Sequence, residues 1–224
     1  MIRRYFTPHL VNENNEWKNF TEHSKDIEID YANPYIPNDY DLIFVKKGYI
    51  KLYCKTNLKN EVFTLIIGEN TLANVGGTIT GANRFSKIIT DTKADLRIYN
   101  SYFFWDLNFI KNHPLLMQSM AKTIASCINF HTIRSHYNCF YSSLPQLCQT
   151  ILTISREDLN NSLSHVKLLT QIDLADLSGM HPVTACNNIK KLREAGIIGK
   201  LTQQYIEILD MENFNLIATN QMVL

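Results

Sequence analysis

From Asp41 to Cys54 the chain reads DLIFVKKGYIKLYC, two apolar runs separated by Lys46, Lys47 and Gly48. In the second run Tyr49, Lys51 and Tyr53 alternate with Ile50, Leu52 and Cys54, which predicts a β-strand with the two sets on opposite faces. KTNLKN then reads as a turn and EVFTLII as the returning strand of a hairpin. Gly68, Gly76, Gly77 and Gly81 mark loops, and SKIITDTKADLRIYN reads as two further strands. Short strands between frequent turns predict an antiparallel barrel or sandwich.

Near Tyr102 the period changes. SYFFWDLNFIKNH predicts a short amphipathic helix that stops before Pro114, because the residue before proline resists the α conformation. Pro114 opens a helix of about 28 residues, roughly 40 Å long. Met117, Met120, Ile124, Cys127 and His131 recur along it at coiled-coil spacing. A helix this long would overhang a small β domain, so the stripe is read as a dimer seam rather than a core face. Ser142 or Ser143 caps a fresh helix with Pro145 in its first turn, which puts a boundary at that junction. The expected division is 1–113, a sensing barrel; 114–142, a dimerisation helix; and 143–224, a C-terminal domain.

In LTQIDLADLSGMHPVTACNNIKKLREAGII, helical spacing is interrupted by Gly179 and Pro182. Thr170 predicts the cap of a first helix with Leu174 and Leu177 inward, and Ala175 and Gly179 are small enough for a close crossing. Pro182 suits the first position of a second helix, which buries Ala185, Ile189 and Leu192 and ends at Gly196. The interruption is thus the corner of a helix-turn-helix. IIGKLTQQYIEIL follows as strand, turn and strand, so the unit reads as a winged helix, whose second helix lies in the DNA major groove. Across residues 166–200, Lys167, Lys190, Lys191, Arg193 and Lys200 stand against Asp173, Asp176 and Glu194, an excess of two positive charges. Such an excess supplies phosphate affinity that weakens with salt. The residues expected at DNA are Thr170, Gln171, His181, Pro182, Val183, Thr184, Asn187, Asn188, Lys190 and Lys191. His181 and Thr184 suit phosphate, while Asn187 and Asn188 carry the amide that pairs with adenine.

Composition narrows the class only a little. The chain has 224 residues, 45% of them hydrophobic and 19% charged, with a net charge of +1, so double-stranded DNA must be held by a local patch. The N-terminus lacks an apolar signal region and no apolar run spans a membrane, so a cytoplasmic protein with no membrane partner is expected. Five cysteines without a C-x-x-C pair read as reduced thiols, with no metal site expected.

The β-rich half, long helix, hinge and winged helix together resemble the Crp/Fnr superfamily of bacterial transcription regulators. The resemblance covers about residues 27–214 and is strongest in LIFVKKGYIKLY, which looks like that family's barrel hairpin with Gly48 at the bend, and in LADLSGMHPVTACNNIKKLREAGII. It implies an α+β chain: an N-terminal antiparallel β-barrel (a cyclic-nucleotide-binding-like jelly roll), the dimerisation helix and a winged helix-turn-helix. It further implies a homodimer that reads an inverted repeat under control of a barrel ligand and works with RNA polymerase. Asn187 stands where the family's base-reading arginine usually does. Val75 and Arg84 lie near positions that hold the ribose and phosphate in cyclic-nucleotide binders, and neither matches the required chemistry. No resident cofactor is identified. The implied effector is a small aromatic or apolar molecule held by Tyr49, Phe63, Val75, Arg84 and Phe85 with Ile124, Ile128 and His131 of the long helix. RRYFTPHL and HPVT look most like regulators that sense chlorinated phenols in halorespiring bacteria.

An enzyme of cupin type needs histidines on adjacent strands, and residues 27–100 contain none. No G-x-S-x-G, H-E-x-x-H or P-loop motif occurs, so no catalytic residue is assigned. Two other readings stay open: an effector-independent regulator with a vestigial barrel, and a ligand-binding dimer that has lost DNA readout.

Overall fold

The computed structural model describes residues 1–9, 14–56, 61–82, 84–157 and 168–224. The end of the expected 55–60 turn and Lys167 of the basic set lie outside the described residues. Two compact units divide the chain, Pro8–Phe130 and a second made of Met1–Thr7 with His131–Leu224.

In the Pro8–Phe130 unit the strands are β2 (Ser24–Ile29), β3 (Asp41–Lys47), β4 (Tyr49–Cys54), β5 (Val62–Gly68), β6 (Leu72–Ala73), β7 (Phe85–Ile89) and β8 (Ala94–Asn100). They form two antiparallel sheets, ordered β2-β8-β3-β6 and β5-β4-β7, a jelly-roll-like pair rather than a closed barrel. β4 and β5 form the expected hairpin, with Tyr49 opposite Gly68 and Leu52 opposite Leu65. Gly48, in contrast, is not the bend of a hairpin. β3 and β4 belong to different sheets, and Gly48 turns the chain between them at φ +84°. A Cβ there would stand 2.8 Å from the Lys93 carbonyl oxygen, which restricts this corner to glycine.

Alternation along the strands separates two cores. Ile43, Val45, Ile50, Leu52, Leu65, Ile67, Ile88, Leu96 and Ile98 fill one aliphatic cluster. The opposite faces of β3 and β8 put Leu42, Phe44 and Tyr99 into a second, aromatic cluster with Trp17 and Phe104. That cluster is closed by α1 (Asn15–Asn19), α2 (Val75–Thr80), the 3₁₀ turn Ser101–Trp105 and the start of α4. Where one short amphipathic helix was expected after Asn100, the 3₁₀ turn gives way to α3 (Leu107–Asn112). Asp106 ends the turn by accepting the Asn108 and Phe109 backbone N–H groups.

The long helix α4 runs Pro114–Phe140, 27 residues. The stripe read as a dimer seam is turned inward along most of its length. Met120 is buried in the aromatic cluster with Met117 and Ile124 against it, and Cys127 meets the aliphatic one. The exposed positions that keep a coiled-coil spacing are Ala121, Ala125, Ile128, Thr132, Ser135 and Cys139. Three-and-four spacing identifies a stripe but not which of two adjacent stripes meets the chain's own core, and here the larger side chains took that side.

The second unit is built on α5 (Ser143–Thr153), α6 (Gln171–Leu177), α7 (Pro182–Glu194), the hairpin β10 (Ile198–Leu201) and β11 (Tyr205–Ile208), and α8 (Met211–Ala218). Two elements were not expected. α8 buries Phe214, Ile217 and Ala218 and is capped by Asp210. β1 (Ile2–Phe6) leaves the region assigned to the barrel and inserts between β11 and β9 (Ser155–Arg156), giving the order β10-β11-β1-β9. Its register sets Ile2 against Ile208 and Tyr5 against Tyr205. Among the described residues no helix is long and apolar enough to cross a membrane.

Candidate nucleic-acid interface

Thr170 and Asp173 start α6 with a reciprocal pair: the Asp173 N–H donates to Thr170 Oγ1 at 3.1 Å and the Thr170 N–H to Asp173 Oδ2 at 2.9 Å. After Ser178, Gly179 adopts φ +66°. The Met180 N–H then reaches back to the Ala175 carbonyl at 3.0 Å and the Gly179 N–H to Asp176 at 3.1 Å. Four residues suffice for the corner because α7 begins at once: His181 Nδ1 accepts the Val183 N–H at 3.3 Å and Pro182 fills the first turn. With Nδ1 accepting, Nε2 is the ring's donor.

The close neighbour at Gly179 is the long helix rather than α7. A Cβ on Gly179 would meet the Asn138 amide nitrogen at 2.9 Å. One turn earlier on α4, Arg134 Nη2 donates to the Asp176 carbonyl at 2.6 Å. Burial holds the Arg134 guanidinium below its usual range. The end of α4 is therefore hydrogen-bonded to the corner of the helix-turn-helix through Arg134, with the Asn138 amide close beside Gly179.

α7 sorts its residues by face. Ala185, Asn188, Ile189 and Leu192 are buried. Val183, Cys186, Asn187, Lys190 and Lys191 are exposed on the other side, with Thr184 half-buried. His181, Thr170 and Gln171 are exposed at the two helix starts, and Pro182 is half-buried. The structure thus brings nine of the ten expected DNA residues to the surface of one unit and excludes one. Asn188 is 5% exposed, and its amide lies 4.0 Å from Met180 Sδ. One residue past Asn187, a rotation of 100° carries it to the inner side. Two surface residues escaped the sequence reading. Cys186 donates its thiol to Gln171 Oε1 at 3.4 Å, and Ile172 is 61% exposed. Their position on the outward face of the same two helices was the signal that could have found them.

The wing is organised by Thr202, whose Oγ1 accepts the Gln204 and Tyr205 N–H groups, each at 3.1 Å. A cleft between the start of α6 and this turn is lined by Leu169, Thr170, Gln171, Leu174, Leu201, Thr202 and Gln203. Lys190 stands 3.6 Å from Glu194, an exposed pair that leaves its ammonium largely hydrated.

The residues expected around an effector do not converge. Tyr49 lies on the face of β4 opposite Ile50, fully buried, its hydroxyl donating to Asp91 Oδ2 at 3.3 Å. Phe63 is buried beside Tyr53 and His9. Val75 and Ile124 belong to the aromatic cluster, whereas Phe85 packs against the aliphatic one. Arg84, Ile128 and His131 are exposed. Alternation placed Tyr49 and Ile50 on different faces but could not say which face was interior.

Residues 145–216 match the family model of the Crp-like helix-turn-helix domain. Among solved structures, the c-di-GMP responsive global regulator CLP of Xanthomonas campestris matches with a TM-score of 0.70 at 15% identity, over 87% of this chain and 98% of that one. A CooA mutant from Carboxydothermus hydrogenoformans matches with a TM-score of 0.69 at 14% identity, over 93% and 97%. A CprK variant complexed with OCPA matches with a TM-score of 0.66 at 13% identity, over 91% and 93%. No curated protein sequence matches the chain.

Proposed function

From a chain whose residues 145–216 match the Crp-like helix-turn-helix domain, and which shares the fold of the regulator CLP over 87% of its length, we propose a ligand-responsive, homodimeric transcription regulator that reads an inverted repeat. The observation that carries this reading is the outward face of α7. Val183, Cys186, Asn187, Lys190 and Lys191 form a mixed strip of apolar contact, amide and cation, each of them exposed among the described residues. Lys190 and Lys191 meet phosphate, and His181 donates from Nε2 to another phosphate. The Asn187 amide pairs with an adenine edge, and Val183 and Ile172 suit thymine methyl groups. Thr170 and Gln171 guard the approach from α6.

Dimerisation uses the exposed stripe of α4, Ala121, Ala125, Ile128, Thr132, Ser135 and Cys139. Small side chains there let two parallel helices approach closely. Because Arg134 bonds to the corner of the helix-turn-helix, a change in α4 pairing moves α6 and α7 as one body. RNA polymerase is the partner such a DNA-bound dimer serves.

The effector is a small aromatic or apolar molecule. The similar CprK structure is complexed with OCPA, which supports a ligand-responsive reading. A second reading, regulation by protein level through an inert barrel, is favoured by the aliphatic filling of the sandwich. Gel shifts against the protein's own upstream DNA, with and without phenols and aromatic acids, separate the two. Ligand-dependent shifting supports gating, constitutive shifting supports the inert barrel, and no shift under any condition removes DNA readout.

A further inference from the structure

On the outward side of the helix-turn-helix a side chain of α7 reaches across to α6. Cys186 stands in the exposed row of α7, three residues after Val183 and four before Lys190, a spacing that puts all three on one face. Its Sγ donates to Oε1 of Gln171, the first residue of α6, at 3.4 Å. The backbone of Gln171 is held on both sides. The Leu169 N–H donates to the Gln203 carbonyl at 3.0 Å, which anchors the approach to α6 on the wing turn. Thr170 and Asp173 then use their side chains on each other's backbone N–H groups. With Asp173 engaged in the cap, the Gln171 amide is the polar group of this turn directed toward α7.

A glutamine amide has two ends of opposite character. Half a turn about its last bond exchanges an acceptor for a donor at the same place. Phosphate oxygens only accept, so a glutamine that bonds to them must present Nε2. The thiol of Cys186 is a donor, and by occupying Oε1 it leaves the Nε2 hydrogens on the opposite side of the amide. In a helix-turn-helix the first helix crosses the sugar–phosphate backbone while the second enters the groove, which assigns Gln171 to phosphate.

We propose that Cys186 is a positioning residue for DNA binding, which holds the Gln171 amide with its nitrogen ready to donate to a backbone phosphate. The inference rests on the DNA-binding reading of α6 and α7 and adds to it how the two helices share one contact. An S–H donor is weak, so the thiol contributes by selecting between two amide orientations rather than by affinity of its own. If that selection is lost, the binding-competent amide falls to about half of the population, and the apparent affinity falls with it. Serine at this position keeps a donor, whereas alanine removes it.

The test is fluorescence anisotropy of a dye-labelled random-sequence duplex in low salt, titrated with the full chain and with four variants. Gln171→Met keeps the length of the side chain and removes the donor, and should weaken binding about two- to tenfold, the range of one neutral hydrogen bond. Cys186→Ala should weaken it about twofold or more. Cys186→Ser should bind as the wild type does. The double variant Gln171→Met with Cys186→Ala should bind no more weakly than Gln171→Met alone, because the cysteine acts only through the glutamine. Both side chains are exposed, so thermal midpoints should stay unchanged and exclude a loss of folding as the cause. Full affinity in Cys186→Ala, failure of serine to restore it, or losses that add in the double variant would overturn the proposal and leave DNA binding standing. Absence of binding by the wild-type chain would overturn the DNA-binding reading and this inference with it.

Discussion

Arg4 of the first strand holds Ser155 twice, through Nε to the hydroxyl at 3.1 Å and through Nη2 to the carbonyl at 2.7 Å. Ser155 follows α5, so an arginine near the start of the chain closes the sheet of the unit that carries the helix-turn-helix. On the other face of the strand, Arg3 pairs with Glu207 at 2.9 Å and lies over the Tyr205 ring. Replacing Arg4 by alanine strips the partly buried Ser155 of its donors and should lower stability by about 1–3 kcal/mol. Arg3→Ala, at an exposed pair, should cost at most about 1 kcal/mol. Urea denaturation of both variants checks the order, and equal losses would remove the structural role of Arg4.

Gly179 and Gly196 both take left-handed backbone, at φ +66° and +70°. Alanine at either should cost about 1–2 kcal/mol for that conformation. Only at Gly179 must a neighbour also move, the Asn138 amide. Thermal melts should therefore show Gly179→Ala as the more damaging change, and Asn138→Ala should narrow the gap between the two.

Asn188 is buried, with its amide 4.0 Å from the Met180 sulfur. Exchange for leucine removes a desolvated polar group at similar volume, so stability should be unchanged or higher. DNA affinity should stay within about twofold, because the side chain faces away from the outward strip. Loss of binding in a folded Asn188→Leu protein would return that residue to the interface.

In the other unit, hydrogen bonding to Arg97 first, then to Lys46, lowers the Asp26 carboxyl to about 2. A carboxyl whose folded value lies below its unfolded value stabilises the fold above the unfolded value. That contribution is complete above about pH 5 and is lost as pH falls toward 2. Asp26→Asn should flatten this acid limb in denaturation midpoints measured from pH 5 to pH 2.

Much of this was legible in the sequence because local chemistry decides it. Thr170, Gly179, Pro182 and Gly196 each have few conformations to choose from, and together they fix the corner before any tertiary contact forms. The hairpin of β4 and β5 was equally local. What stayed hidden depends on contacts between distant segments. The strand at Ile2–Phe6 has no readable alternation, because Arg4 takes an inward position that Ser155 and Glu157 make tolerable. For the stripe of α4 and the effector set the limit of the pattern was shared. Periodicity assigns faces but not their neighbours, so Met120 was set outside and Tyr49 was set around a pocket, whereas each packs into its own unit.

Lys190 and Lys191 should act differently from Asn187 at DNA. Alanine at either lysine should weaken all duplexes alike and reduce the salt slope by about one. Asn187→Ala should cost about 1–3 kcal/mol on the preferred site and little on random duplex. Anisotropy titrations across a salt series distinguish the two behaviours.

The most direct measurement is selection of bound sequences from a pool of random 30-base-pair duplexes, carried out in low salt with the wild-type protein and with Asn187→Ala. An enriched inverted repeat with half-sites about 10 base pairs apart, whose adenine preference relaxes in the variant, is the predicted result. No enrichment, or the same site with undiminished preference in the variant, would contradict the assignment of α7 as the reading helix.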